Sequence, residues 1–178
     1  EWTTTKQTLR RELLAKPEIE NVSFMGQVTP FGNSNWATGN DDNGFELFTY
    51  MAFADEHYME AADLNLLEGR WFNENDRNSK YRAVVITEKL KREVFKDNPV
   101  LDSVYVFDGE CKIIGVIDHF KYTGDFSIEE PMTILYQAQE DLNSNSIVIK
   151  VAKGTLPEFE KEVNQTIAQI TKQQDFVI

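Results

Sequence analysis

Asp108-Gly109 stands between two strand-forming runs, Val104-Tyr105-Val106-Phe107 and the segment from Glu110 to Asp118. That dipeptide supplies the positive φ angles a two-residue hairpin turn needs, so the pattern predicts an antiparallel hairpin and commits the chain to a sheet. The hairpin lies inside Leu66 to Lys121, the densest set of strand and turn signals in the chain. This stretch opens with Leu66-Leu67-Glu68-Gly69-Arg70-Trp71-Phe72, with Gly69 as a turn residue. It passes through the apolar run Ala83-Val84-Val85-Ile86 and closes with Ile113-Ile114-Gly115-Val116-Ile117-Asp118-His119-Phe120-Lys121.

Helical and strand patterns flank this stretch. Residues 3–15 read as a helix, with Lys6, Leu9 and Leu13 on one face, Leu14 widening it and Pro17 ending it. Asn21 to Phe31 reads as a strand, 32–44 as a polar loop, and Phe45 to Ala54 as a strand with two apolar faces. Asp55 is placed to cap a short helix through Ala62, and Asn73 to Lys80 reads as a loop. Thr87 is placed to cap a helix whose inner face is Leu90, Val94 and Phe95, ending near Pro99. Met132 to Tyr136 and Ser146 to Val151 read as strands, the latter with Ile147, Ile149 and Val151 on one face. Thr155, Pro157 and Glu158 have the spacing of a capping box before a helical stripe of Leu156, Phe159, Val163, Ile167 and Ile170. Asp175 to Ile178 reads as a final, truncated strand.

The ends thus read helix–strand and strand–helix–strand, and the middle is strand-rich. The expected class is α+β: one lobe built from both ends, about 1–54 and 128–178, with an inserted lobe over about 55–127.

Charge narrows the function. A formal net charge of −12 over 178 residues repels phosphate backbones and anionic headgroups, which argues against nucleic acid and against direct membrane adhesion. No apolar run approaches the roughly 20 residues of a membrane span. Glu1 in place of Met reads as a processed or excised piece.

Catalytic apparatus is missing from the pattern. His57 and His119 are the only histidines. On an extended strand Cys111 and His119 would stand about 26 Å apart, too far for a thiol–imidazole pair. Cys111 therefore reads as a small sheet residue. Glu129-Glu130 and Asp41-Asp42 read as solvated carboxylates. Asn40, Asp42 and Gly44 lack the order of a calcium loop and its distal glutamate. No catalytic residue, cofactor or metal is expected. Arg70, set among apolar neighbours, reads as a structural arginine that bonds a carboxylate or backbone carbonyls at a turn.

One pattern extends beyond the single residues. Leu67, Gly69, Arg70 and Phe72, then Asp76, then Val85, Ile86 and Glu88, then Phe95 and Pro99, then Gly115 and Val116 follow an order and spacing that resemble the MacB-like periplasmic core domain. The likeness is strongest over 58–121. It departs at Leu101, where that family carries glycine, and at Asp102, where lysine is common. The resemblance implies the extracytoplasmic, non-catalytic domain of an FtsX-like ABC-transporter permease on the periplasmic side of the inner membrane. It implies a porter-like lobe with an insertion and a role in transmitting conformational change during export. The partners it implies are the parent's own transmembrane helices, a cytoplasmic ATPase, a periplasmic adaptor protein and a second copy in a homodimer. The alternative is an extracytoplasmic domain that senses a peptide or antibiotic. If both ends lead into membrane helices, Glu1 and Ile178 lie close together.

Overall fold

The computed structural model describes residues 2–27, 37–38, 49–96, 98–107, 109–120, 128–139, 141 and 146–172. In chain order the elements are α1 (Trp2–Leu14), β1 (Ile19–Gln27), β2 (Ala37–Thr38), β3 (Thr49–Ala54), α2 (Tyr58–Ala61) and β4 (Leu66–Gly69). A 3-10 turn (Glu74–Asn78), β5 (Arg82–Thr87) and α3 (Glu88–Leu90) follow, α3 widening into a π-helical turn (Lys91–Phe95). The chain continues through β6 (Val104–Phe107), β7 (Gly109–Ile117), β8 (Met132–Tyr136), β9 (Ser146–Val151) and α4 (Phe159–Thr171). The class is α+β, as expected.

All nine strands join one mixed sheet in the order β4-β7-β5-β8-β3-β1-β9; β2 adds to β3, and β6 adds to β7 beside β4. Among the described strands only β3·β8 and β5·β7 are parallel. The expected hairpin forms, with Val104 opposite Lys112 and Phe107 opposite Gly109, a register one residue tighter than a two-residue turn would give. Central position explains the apolar run of β8, in which every residue is buried.

Alternation along the strands sends side chains to two faces. On one face, Leu9 and Leu13 of α1 meet Val163 and Ile167 of α4 over Val22 and Phe24. Each such buried aliphatic contributes about 1.5–3 kcal/mol. Leu90 of α3 covers Val84, Ile86 and Ile113 on the same face, with Val94 and Phe95 beside it. The wider π turn brings both Val94 and Phe95 inward from Leu90. Phe53 packs against both groups and joins them. The opposite face gathers Met25, Val85 and Ile134 under Tyr58, Trp71, Phe72 and Phe120.

β1 runs antiparallel to β9, and each of α1 and α4 folds back over its own strand. The two helices are therefore antiparallel, with Lys16 beside Glu162 at 2.6 Å, so Trp2 and Thr171 face the same end. Glu1 and Ile178 themselves lie outside the described residues, as do 28–36, 39–48, and the strand expected at 175–178.

Several local expectations need correction. Leu14 is exposed rather than part of the α1 face; Val151 ends β9 on the face of Ile147 and Ile149 but is itself exposed. The polar 32–44 stretch contains the short strand β2, paired to Tyr50 and Thr49. Asn73 to Lys80 is not a plain loop: it carries the 3-10 turn, closed by a capping box between Asn73 and Asp76. The box expected at Thr155 does not form. Thr155 Oγ1 donates back to the Ala152 carbonyl at 2.7 Å, and α4 begins four residues later. Leu156 consequently falls outside the helix and is 70% exposed. Asp55 does not cap α2 from the N-cap position, which His57 holds without a side-chain bond.

Candidate functional site

Four of the motif residues, Gly69, Arg70, Asp76 and Gly115, meet at one corner, where β4 leaves the sheet beside β7. Gly69 takes φ 72, and a methyl group there would stand 2.2 Å from the Ile114 carbonyl oxygen. Across the same contact, a methyl on Gly115 would stand 2.4 Å from the Arg70 carbonyl oxygen. Both glycines are therefore dictated by backbone approach, and Gly69 by its left-handed conformation as well. The Arg70 N–H donates to the Ile114 carbonyl at 2.9 Å and seals the crossing.

From this crossing Arg70 reaches the 3-10 turn. Its Nη1 donates to Asp76 Oδ2 and its Nη2 to Asp76 Oδ1, both at 2.7 Å, and Nη1 also donates to the Trp71 carbonyl at 3.0 Å. Asp76 Oδ2 accepts from the Asn73 N–H at 2.9 Å. The Asp76 side chain is only 3% exposed, whereas that of Arg70 is 48% exposed. Burial alone would raise the Asp76 carboxyl. The Arg70 hydrogen bonds, the Asn73 N–H and the Arg70 charge outweigh it and hold the group below the usual carboxylate range. The bonds that Arg70 donates to Asp76 hold its guanidinium above its ordinary value.

Most of the remaining motif residues lie in the core, on one or the other face of the sheet. Phe72 is buried against Trp71 and Tyr136, at ring centroid distances of 4.5 and 5.4 Å. Val85, Ile86 and Val116 are fully buried. Glu88 follows Thr87, whose Oγ1 accepts from the Leu90 N–H at 3.4 Å and from the Met132 N–H at 3.0 Å, so the expected cap also ties β5 to β8. Phe95 packs edge-on to Tyr105 at 6.1 Å. Leu67 and Pro99 point away from the core, Leu67 being 44% exposed. The departure at Leu101 is met by Asp102, which takes φ 65, a left-handed conformation that aspartate tolerates better than most residues.

Two adjoining clefts, of about 540 and 560 Å³, flank Ser79 and Lys80 over a shared floor at Ala83. Arg70, Leu101 and Lys112 line the first; Arg77, Tyr136 and Asp141 line the second. Lys112 pairs with Asp102 at 2.6 Å and Arg77 with Asp141 at 3.2 Å.

Among the described residues no three His, Cys, Asp or Glu side chains are placed to hold a metal. His57 lies 3.5 Å from Glu56, and His119 lies 3.4 Å from Asp118. Cys111 is buried among Val84 and Ile113, near one end of the unbroken strand β7, and His119 lies just beyond the other end. Glu129, one of the paired carboxylates, meets Arg92 at 3.4 Å on the surface. The loop at Asn40, Asp42 and Gly44 lies outside the described residues.

In this α+β module the marked glycines, arginine and aspartate hold the chain's own backbone rather than a ligand or a reacting group. The chain matches the model of the MacB-like periplasmic core domain over residues 2–166 and belongs to that family. It is 26% identical over 157 residues to the macrolide export ATP-binding/permease protein MacB of Chlorobium luteolum, covering 84% of this chain and 22% of that protein. The MacB protein of Neisseria gonorrhoeae is 25% identical over 139 residues, covering 75% of this chain and 21% of that protein. The chain thus spans about a fifth of the length of these curated relatives. The crystal structure of the periplasmic region of MacB from Actinobacillus actinomycetemcomitans superposes with a TM-score of 0.66 at 18% identity, covering 96% of this chain and 76% of that one. The extracellular domain of the transporter YknZ, from Gram-positive bacteria, gives a TM-score of 0.61 at 14% identity, covering 92% and 80%. Among the described residues no helix is long and apolar enough to cross a membrane.

Proposed function

We propose that this domain is a non-catalytic coupling module. It carries displacement from the membrane-embedded part of a parent permease outward, and contacts a partner protein or the substrate during export. The observation behind this reading is the continuity of the sheet. Paired strands run without a break from β9 and β1, beneath α1 and α4, to β4 and β6 at the far edge. A rigid sheet passes on a displacement of its helical side without a hinge to absorb it. In this reading 1–54 and 128–178 form the porter-like lobe and 55–127 the inserted lobe, meeting at the β5·β8 pair. The parent supplies transmembrane helices and an ATPase; an adaptor protein and a second copy complete the assembly.

The buried Cys111 leaves spin-labelling to introduced cysteines. In the full-length parent, labels at Arg11→Cys in two copies should change their separation when ATP binds. An unchanged separation would refute coupling, and the lack of any inter-copy distance would refute the homodimer.

A sensing role for a peptide or antibiotic draws on the two clefts around Lys80. Titration with a macrolide in a calorimeter tests it. Saturable heat that Lys80→Glu abolishes would favour sensing, and no heat would reject a macrolide ligand.

A further inference from the structure

Asp55 ends the terminal strands and begins the segment that leads away from them. It is completely buried. Its Oδ1 accepts from Ser23 Oγ at 2.6 Å and from the His57 N–H at 3.0 Å; its Oδ2 accepts from the Phe24 N–H at 3.1 Å. Its carbonyl accepts from the Trp71 indole at 3.3 Å. β3 stops at Ala54, which pairs with Met25, so the Asp55 carboxylate takes the place of further ladder bonds along β1. One residue therefore ties β1, the approach to α2, and the stretch that carries Arg70.

Among the described residues no cation bonds this carboxylate. The charged and titratable groups that face the site are Arg10 from α1 and Glu56, His57 and Glu60 from the chain around α2. Arg10 Nη1 donates instead to the Val22 carbonyl at 2.8 Å, and Glu60 accepts from Asn21 Nδ2 at 2.9 Å. β1 offers Asp55 only a hydroxyl and an amide.

We propose that Asp55 is a proton-binding site, and that uptake of a proton from solvent tightens the joint between β1 and β3. The surroundings can hold both states. In the ionised state Ser23 donates its hydroxyl hydrogen to Oδ1. When a proton adds to Oδ1, the new O–H donates to Ser23 Oγ, and the serine turns its own hydrogen to the Phe24 carbonyl, 3.4 Å away. Oδ2 continues to accept from the Phe24 N–H. The His57 N–H is left with a weaker acceptor, a small loss at the entry to α2. Against it stands removal of a full charge from a completely buried site. Burial pushes this carboxyl up, against the pull of the Ser23, Phe24 and His57 bonds and of the nearby His57 charge. The sign follows: a carboxyl raised on folding contributes stability in acid that is lost as the pH rises through its folded midpoint. An extracytoplasmic domain meets the pH of its surroundings directly, so this joint stiffens as they acidify.

Carboxyl-detected NMR of the wild-type chain tests the site without a variant. The Asp55 carboxyl should titrate above the ordinary value of about 3.9. Protection of the Phe24 amide from hydrogen exchange should rise as the pH falls through that midpoint, by tenfold for each unit of elevation. D55N, a neutral mimic, should abolish the pH dependence of that protection. A midpoint at or below the ordinary value would overturn the proposal. So would Phe24 protection that stays flat or falls in acid. A pH dependence retained in D55N would assign the proton to Glu56, His57 or Glu60 and also overturn it. Should D55N fail to fold, the two wild-type readouts decide alone.

Discussion

Arg70 and Asp76 meet as a two-pronged pair, six residues apart in sequence, with the arginine half in solvent and the aspartate beneath it. The fork fastens the crossing of β4 over β7 to the 3-10 turn. Removing it leaves buried acceptors on Asp76 and Trp71 unpaired, at a cost of roughly 1–3 kcal/mol. Arg70→Ala should lower the urea midpoint clearly. Arg70→Lys should recover only part, because one ammonium cannot reproduce a planar fork. Arg92, 59% exposed and paired only at the surface, should tolerate alanine within about 0.5 kcal/mol. If Arg70→Ala unfolds like the parent, the structural role of the pair is wrong.

The same pair sets a pH dependence of opposite sign to that of Asp55. The Asp76 carboxyl is lowered on folding, so its contribution is present above the ordinary carboxylate range and lost as the pH falls through the folded value. Asp76→Asn should be less stable than wild type at pH 7. The gap should shrink steadily in acid. A gap that stays constant from neutral to strongly acid pH would contradict this.

Gly69 and Gly154 separate steric from conformational cost. Both have positive φ, 72 and 92, but a methyl at Gly154 meets nothing within 4 Å. Gly154→Ala should cost only the strain of a left-handed residue, about 1–3 kcal/mol at most. Gly69→Ala adds a collision with the backbone at Ile114 and should cost visibly more. Equal losses in thermal unfolding would show that the crossing yields easily.

Tyr58 is wholly buried, and among the described residues its hydroxyl has no hydrogen-bond partner. An unsatisfied buried hydroxyl costs about 1–3 kcal/mol. Tyr58→Phe keeps the ring against Phe120, 5.9 Å away, and should raise stability by a part of that amount. A loss of stability in urea unfolding would mean the hydroxyl is satisfied after all.

Local signals in the sequence were reliable where the partner is near in the chain. The Asp108-Gly109 signal announced the pairing of β6 with β7, strands that follow one another, and Thr87 caps the helix that starts beside it. Arg70 was readable as a structural arginine from its apolar neighbours beside the Gly69 turn, but the carboxylate it bonds, Asp76, was named only by the structure. Long-range partners left no such trace. Asp55 resembles a cap, yet Ser23 and Phe24, more than thirty residues earlier, claim its carboxylate. β4 escaped notice as a strand because it is four residues long, at an edge, and half exposed. The parallel pairings β3·β8 and β5·β7 join segments whose order no periodicity encodes. Thr155 had the spacing of a capping box, but its hydroxyl turned back to Ala152 and the helix started late. Gly69 and Gly115 were visible as glycines; their reason, the mutual approach of two backbones, needed three dimensions.

The rigidity of the sheet between its helical side and its far edge is open to direct measurement. Spin labels at Arg11→Cys on α1 and Glu110→Cys on β7 place one reporter at each side, both at exposed positions. Their distance distribution within one copy of the full-length permease should stay narrow and unchanged between nucleotide-free and ATP-bound states. A distribution that broadens or shifts on ATP binding would place a hinge inside the domain and contradict coupling through a rigid sheet.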